Sequence, residues 1–428
     1  MHIRIDASAL REALKRVKAS LGSSDYYSTH PYVILNALGC QLVVSTWKKS
    51  IRIDVLVPCE VEGEGSFAVS YQQLVQAVSP LDGALSLRRD GLEISISSAL
   101  PDQCFVLPVR GKEADEVAPC TIASEVIAGA TYFRQENRGV TCEACKVSHT
   151  EKVEQTYEVM RVLTQRVRLP KAHLLHLLRQ VNWLPEYRYR MPCLEGICLE
   201  AASGKMSLTG SDGHSLAIAQ AALPEEGVCD WEHRVLVESS LFTKALQPLP
   251  RAEVCMEAVL TRHRLVQQNG ETVAEAEPFE RAAFLRLTAQ HVTVTIPLMN
   301  QSIPDYRTLI PTTWVTRITM PTAALRRALQ SLVAVGNTVD CHLASAKLTL
   351  EVEHKSQPAR HEVPVIGQAG PDVDTVCNAS SLLCALVQIA TAQVTLEMNG
   401  VERPIVLRPG DNGNGSSVFA LQCMQQSA

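Results

Sequence analysis

The chain has 428 residues, 46% of them hydrophobic and 20% charged, with a formal net charge of −5. That length and apolar share exclude a disordered chain and allow several buried cores at about 100–200 residues per domain. The negative total excludes a global positive field, so any affinity for nucleic acid must come from a locally basic face.

The N-terminal stretch MHIRIDASAL lacks a basic segment followed by an apolar one, and no apolar run approaches the roughly 20 residues that cross a bilayer. Neither secretion nor membrane insertion is expected. The 14 cysteines, Cys40, Cys59, Cys104, Cys193 and Cys341 among them, are scattered through mostly apolar, strand-like runs. A reduced thiol behaves there as a small hydrophobe, and a cytoplasmic protein is expected.

The first predicted element is a helix, ASALREALKRVKASLG from Ala7, with Leu10, Leu14 and Val17 on one stripe. An alternating run follows, CQLVVSTWKKSIRIDVLVP, then a second helix in VSYQQLVQAVSPL from Val69, then a hairpin in ALSLRRDGLEISIS with an Asp90-Gly91 turn. The same order returns from Pro170. PKAHLLHLLRQVNWLP carries the stripe Leu174/Leu178/Val181, and CLEAASGKMSLTGSDGHSLAIAQAALP supplies strands. VESSLFTKALQPLP from Val237 is the second helix, and AEVCMEAVL with FLRLTAQHVTVTIPL closes the unit. It returns again from Pro321: PTAALRRALQSLVAVG with Leu325/Leu329/Leu332, CNASSLLCALVQIA from Cys377, and QVTLEMNGVERPIVLRP with an Asn399-Gly400 turn. Pro170 and Pro321 suit helix starts, Gly22 and Gly336 suit stops, and Ser70, Ser239 and Asn378 suit N-caps. The chain is therefore a threefold repeat of helix, strands, helix, strands, an α+β arrangement of antiparallel sheets backed by helices.

The first helices carry Arg11, Lys15, Arg16 and Lys18 in one unit, Lys171 and Arg179 in the next, and Arg326 and Arg327 in the third; Lys244 joins from the second helix of the middle unit. Glu12 and Glu238 are the main acidic residues there. Selectively basic helices in an acidic protein fit a phosphate-facing surface, since such contacts give sequence-independent affinity; a solvated helix face fits the charge pattern equally well.

In GSDGHSLA, Asp212 and His214 have the spacing of a catalytic or metal-binding pair, which would need a nucleophile, a metal partner or an oxyanion donor beside it. The other histidines (His173, His176, His233, His263, His291) are scattered, whereas Asp-Gly is a tight-turn dipeptide, so a turn between strands is expected and no enzymatic activity. Cys142-Glu-Ala-Cys145 with His149 has the spacing of half a zinc site. With Cys120 the nearest further ligand and no second such pair, a surface loop with two thiols is expected, and no metal or cofactor. Trp47 and Trp314 are expected as packing residues.

SDGHSLA at 211–217 and IPDYRTLIP at 303–311, set in this repeat, resemble the bacterial DNA polymerase III beta subunit, the beta sliding clamp family. The resemblance implies three clamp domains of two helices each, and a head-to-tail homodimer forming a ring around double-stranded DNA. It implies a processivity factor that tethers the replicative DNA polymerase, with a clamp loader and repair proteins docking through short peptides. Carried over by residue, the peptide pocket would hold Leu194, Ser211, Gly213, His214, Ser215, Leu216, Pro304, Thr308, Leu309, Ile310, Asn378, Ser381, Ala420, Leu421, Gln422, Cys423 and Met424. The chain departs from the family at Ser215 and Thr308, where Arg is usual, in the tail LQCMQQSA, and at Thr46-Trp47-Lys48-Lys49, where an acidic loop is usual. Clamp domains are expected at 1–118, 166–311 and 312–428, with insertions over 119–165 and about 261–281. The alternative is a clamp-fold paralogue that does not close a ring and acts as a regulatory protein, binding zinc through the 119–165 insertion.

Overall fold

A computed structural model describes residues 1–21, 31–48, 50–98, 104–110, 131–141, 148–184, 192–224, 229–273, 277–301, 305–352, 359–400, 403–410 and 418–421. The first repeat runs β1 (His2–Asp6), α1 (Ala7–Leu21), β2 (Tyr32–Leu38), β3 (Gln41–Lys48), β4 (Ile51–Pro58), β5 (Glu60–Glu62), β6 (Gly65–Ser70), α2 (Tyr71–Val78), β7 (Ala84–Asp90), β8 (Glu93–Ser98) and β9 (Cys104–Arg110). Then come β10 (Thr131–Thr141) and β11 (Ser148–Pro170), whose end leads into the second repeat: α3 (Lys171–Val181), β12 (Gly196–Ala202), β13 (Lys205–Ser211), β14 (Ser215–Ala222), β15 (Val235–Glu238), α4 (Ser239–Leu246), β16 (Glu253–Gln268), β17 (Glu271–Thr272), β18 (Phe279–Ala289) and β19 (Val292–Pro297). The third is β20 (Thr316–Pro321), α5 (Thr322–Val333), β21 (Thr338–Ala344), β22 (Lys347–Val352), β23 (Ala359–Pro364), β24 (Gly367–Ala369), β25 (Asp374–Asn378), α6 (Ala379–Val387), β26 (Gln393–Met398), β27 (Ile405–Pro409) and β28 (Val418–Leu421). The six expected helices are all present, and every member of the three leucine-rich stripes is buried. Burying each such side chain stabilises the fold by about 1.5–3 kcal/mol.

The chain divides into two compact units, Met1–Lys171 with Ser240–Asn300, and Ala172–Ser239 with Gln301–Ala428. In the first, one antiparallel sheet runs β10-β11-β16-β18-β19-β4-β3-β2-β6-β9-β8-β7-β1-β5, with β17 beside β16. One row of paired residues on it reads Thr46, Ile53, Val294, Leu287, Met256, Val167. All six are buried, and α1 lies on this face, where the Thr46 hydroxyl donates to the Val17 carbonyl at 3.1 Å. In the second unit, nine strands run β15-β12-β13-β14-β28-β27-β26-β20-β24, a smaller sheet runs β23-β22-β21-β25, and α5 packs on α6. Compactness divides the chain through the second repeat because that repeat shares sheets on both sides: β19 pairs with β4, and β14 with β28.

Three local expectations are corrected. Gly336 is not a left-handed helix stop; its φ is not positive, and a Cβ there would meet Val352 Cγ1 at 2.8 Å, so close packing requires the glycine. Of the three N-caps, Asn378 accepts from the Ser381 N–H at 2.9 Å, while Ser70 sits at the cap position without a side-chain bond. Ser239 lies inside α4 and donates instead to Asn182 Oδ1. Trp314 is 41% exposed and not a core residue, because it stands in the irregular connection ahead of β20. Gly22 and Trp47 to Lys49 fall outside what is described of backbone or side chain.

The described residues of the two expected insertions form strands. β10 pairs with β11 from Thr131↔Glu158 to Thr141↔Ser148, and β11 pairs with β16 from Gln155↔Gln268 to Pro170↔Glu253. β16 in turn pairs with β18 as far as His263↔Phe279. Segments about a hundred residues apart in the chain thus stand side by side as a four-stranded arm continuing the first unit's sheet. Cys120, Cys142 and Cys145 lie outside the described residues, as does the side chain of His149.

Candidate functional site

The hairpin β13–β14 turns through Asp212, Gly213 and His214. Asp212 is buried, and its carboxylate oxygen Oδ1 accepts from the backbone N–H of His214 at 2.8 Å and of Ser215 at 2.5 Å. The Ser211 hydroxyl donates to the Ser215 carbonyl at 2.8 Å and accepts from the Gly213 N–H at 3.1 Å. Gly213 takes φ +87°, a left-handed conformation that costs glycine little, and a Cβ there would lie 3.4 Å from Leu194 Cδ1. Asp212 therefore spends its charge on the turn. Gly210, just before it, admits the end of α3: a Cβ would sit 3.2 Å from Leu184 Cδ1 and 3.4 Å from the Val181 carbonyl.

Strand β14 leaves this turn beside β28, pairing Ser215↔Leu421 and Leu216↔Ala420, and α6 lies against β28. The N-terminus of α6 carries Asn378 and Ser381, joined by their capping bond. The second sequence motif forms a short 3-10 turn, Tyr306–Leu309. Tyr306 is buried, and its hydroxyl donates to Glu200 Oε2 at 2.8 Å; Arg307 pairs with the same carboxylate, and the Arg234 guanidinium stands 6.0 Å from the Tyr306 ring. Burial pushes the Tyr306 hydroxyl pKa upward, and pushes the neighbouring Cys198 thiol up to about 12, which leaves that thiol unreactive. Thr308 donates its hydroxyl to the Asp305 carbonyl at 2.7 Å, while Leu309 is 61% exposed.

The expected pocket residues that are described all belong to the second unit. Leu194 meets Gly213, and Ser215 and Leu216 meet the β28 backbone. Gly213, His214, Thr308 and Leu309 are exposed, whereas Ser215 and Leu216 are buried. Pro304, Gln422, Cys423 and Met424 fall outside the described residues, as do the side chains of Ala420 and Leu421. Glu200 and Arg234, which anchor the 3-10 turn, escaped sequence reasoning. The signal available was a lone carboxylate in the apolar run GICLEAA.

The nine basic residues fall into two groups. Arg11 donates to the carbonyls of Ser79 at 3.4 Å and Leu81 at 2.5 Å beyond α2, and pairs with Asp82. Arg326 donates to the carbonyls of Leu386 at 3.1 Å and Ile389 at 3.2 Å at the end of α6. Arg16 donates to the Pro248 carbonyl at 2.9 Å and Lys171 to that of Leu249 at 2.5 Å, just past α4. Burial, with Arg16 and Arg251 nearby, lowers the Lys171 pKa. These four cations stabilise orphan carbonyls and the negative end of a helix dipole. Lys15, Lys18, Arg179, Lys244 and Arg327 are exposed.

Three repeats that share sheets, with two helices in each, define a sliding-clamp fold. Residues 165–282 match the family described as DNA polymerase III beta subunit, N-terminal domain. A pattern common to all three repeats explains why a first-domain description fits the second. The whole chain is similar in structure to the beta subunit from DNA polymerase of Streptococcus pyogenes (13% identity, all of both chains covered, TM-score 0.69). The DNA polymerase III subunit beta from Pseudomonas aeruginosa is similar at 17% identity, with 99% of this chain and 100% of that one covered and TM-score 0.70. The DNA polymerase sliding clamp from Bacillus subtilis follows at 15%, with 100% and 99% covered and TM-score 0.69. No curated protein matches the chain. Among the described residues no helix is long and apolar enough to cross a membrane, and no cluster of His, Cys, Asp and Glu could hold a metal ion.

Proposed function

We propose that this protein is a DNA sliding clamp that closes as a head-to-tail homodimer around duplex DNA and tethers the replicative polymerase to its template. The clamp loader and repair proteins would dock at the same pocket, and the domains would be 1–118, 166–311 and 312–428. The observation that carries the reading is the way the repeats join. The strand after the first hairpin of one repeat pairs with the last strand of the next: β4 with β19, and β14 with β28. By that rule β23 of the third repeat needs a last strand, and β9 of a first repeat needs a partner. Among the described residues β23 pairs only with β22, and β9 is free along Cys104–Pro108 on the side away from β8. A second copy satisfies both edges at once, which closes a cyclic dimer and removes exposed strand edges.

The mechanism requires no bond to be made or broken. Lys15, Lys18, Arg179, Lys244 and Arg327 meet phosphates without reading bases, so affinity does not hold the ring at one sequence and sliding stays easy. Processivity comes from topology, because a closed ring leaves duplex DNA only at an end. The pocket is built where β14 meets β28, with Leu309 offered to an incoming apolar side chain.

The test is retention. Protein loaded on nicked circular DNA should survive a salt wash and be lost when the circle is linearised, and its mass in solution should be that of a dimer. A stable monomer with equal retention on linear and circular DNA would overturn the clamp function and leave the regulatory paralogue as the better account.

A further inference from the structure

The arm carries two arginines that the clamp reading leaves without a role. The face of the sheet that bears α1 runs through Val167 and Met256 and continues outward through Gln165/Ala258 and Leu163/Leu260 to Arg161/Arg262. Val167, Met256, Gln165, Ala258 and Leu260 are buried; Arg161 and Arg262 are exposed. Their meeting follows from the register, which runs unbroken from Pro170↔Glu253 to Arg161↔Arg262. A β-bulge comes just beyond: β11 next pairs Val159 with His263, so Met160 is the extra residue. The register thus sets two arginines directly opposite each other, an arrangement that destabilises a sheet unless an anion bridges it. Among the described residues neither side chain makes an ion pair or hydrogen bond. One row on, Arg264 is paired with Glu158 at 2.8 Å, and in the backbone register Glu280 of β18 is the residue opposite Arg262.

We propose that Arg161 and Arg262 form a phosphate-contact site for duplex DNA, a sequence-independent hold outside the helices. This rests on the clamp reading, which turns the helix-bearing face toward DNA. The pair can grip one phosphodiester with two forks, and its position at the exposed end of that face extends the protein's footprint along the duplex.

The experiment compares full-length protein with Arg161→Gln, Arg262→Gln and the double variant, measuring equilibrium binding to a short linear duplex across a salt series. The double substitution should lower the magnitude of the slope of log K against log salt by about 0.9, the value for one phosphate, and each single substitution by less. Arg161→Lys with Arg262→Lys should restore most of the slope. The thermal midpoint of the glutamine variants should not fall, because a like-charge contact has been relieved. Wild-type binding with an unchanged slope in all variants overturns the arm site and leaves the clamp reading standing. Failure of the wild type both to bind duplex and to be retained on circular DNA overturns both.

Discussion

Asp212 holds the backbone N–H groups of His214 and Ser215 across the turn in which Gly213 takes its left-handed φ. Asp212→Ala should therefore cost about 1–3 kcal/mol, the range for stranding buried donors, and shift the denaturant midpoint accordingly. A midpoint within error of wild type would mean that the turn is held by Ser211 alone. For the pocket, Leu309→Lys adds a charge at a site that is already 61% exposed. It should abolish binding of a clamp-motif peptide, by calorimetry, with the dimer intact; unchanged affinity would put the pocket elsewhere. Leu216→Lys, an equally natural choice from sequence, is not a matching test: Leu216 is 5% exposed in a strand paired on both sides, so a lysine there would disturb the sheet itself. The motif letters named a candidate site, but which of them face solvent depends on β28, a strand from the far end of the chain. No local pattern reveals that.

Helices were legible because a period of 3.6 writes itself into Leu10/Leu14/Val17 and its two counterparts, whereas charge on the same helices was ambiguous. Arg11 and Lys15 look alike in sequence, yet Arg11 is committed to carbonyls beyond α2 and Lys15 is exposed. The difference separates two phenotypes. Lys15→Gln with Lys18→Gln should lower the salt slope of duplex binding by about 1.8 without changing stability. Arg326→Ala should cost about 1–2 kcal/mol in stability, by thermal melt, and leave the slope close to wild type. The reverse pattern would reassign the two groups. The arm was illegible for a related reason. TYEVMRVLTQRVRLP does alternate, but the bulge at Met160 breaks the period, and a strand whose partners are in another insertion gives no local hairpin signal.

At the scale of the whole molecule, the second and third repeats each lend their last strand to the repeat before, and among the described residues one borrower, β23, and one lender, β9, stay unmatched. Val106, on β9, is 56% exposed, so that open edge carries an apolar side chain of the kind an interface buries. Arg360, His361 and Glu362 on β23 are exposed as well, and charged edge residues discourage pairing with arbitrary strands while leaving one complementary strand acceptable. Val106→Glu should then convert the dimer to monomer, read by sedimentation, with the circular dichroism spectrum unchanged because the β8–β9 pairing does not involve the new edge. The same variant should still bind a short duplex with close to its original salt slope per protomer, but should lose retention on closed circles. A Val106→Glu protein that remains dimeric and retained would place the closing contact on another surface, and the strand-lending rule would then stop at the third repeat.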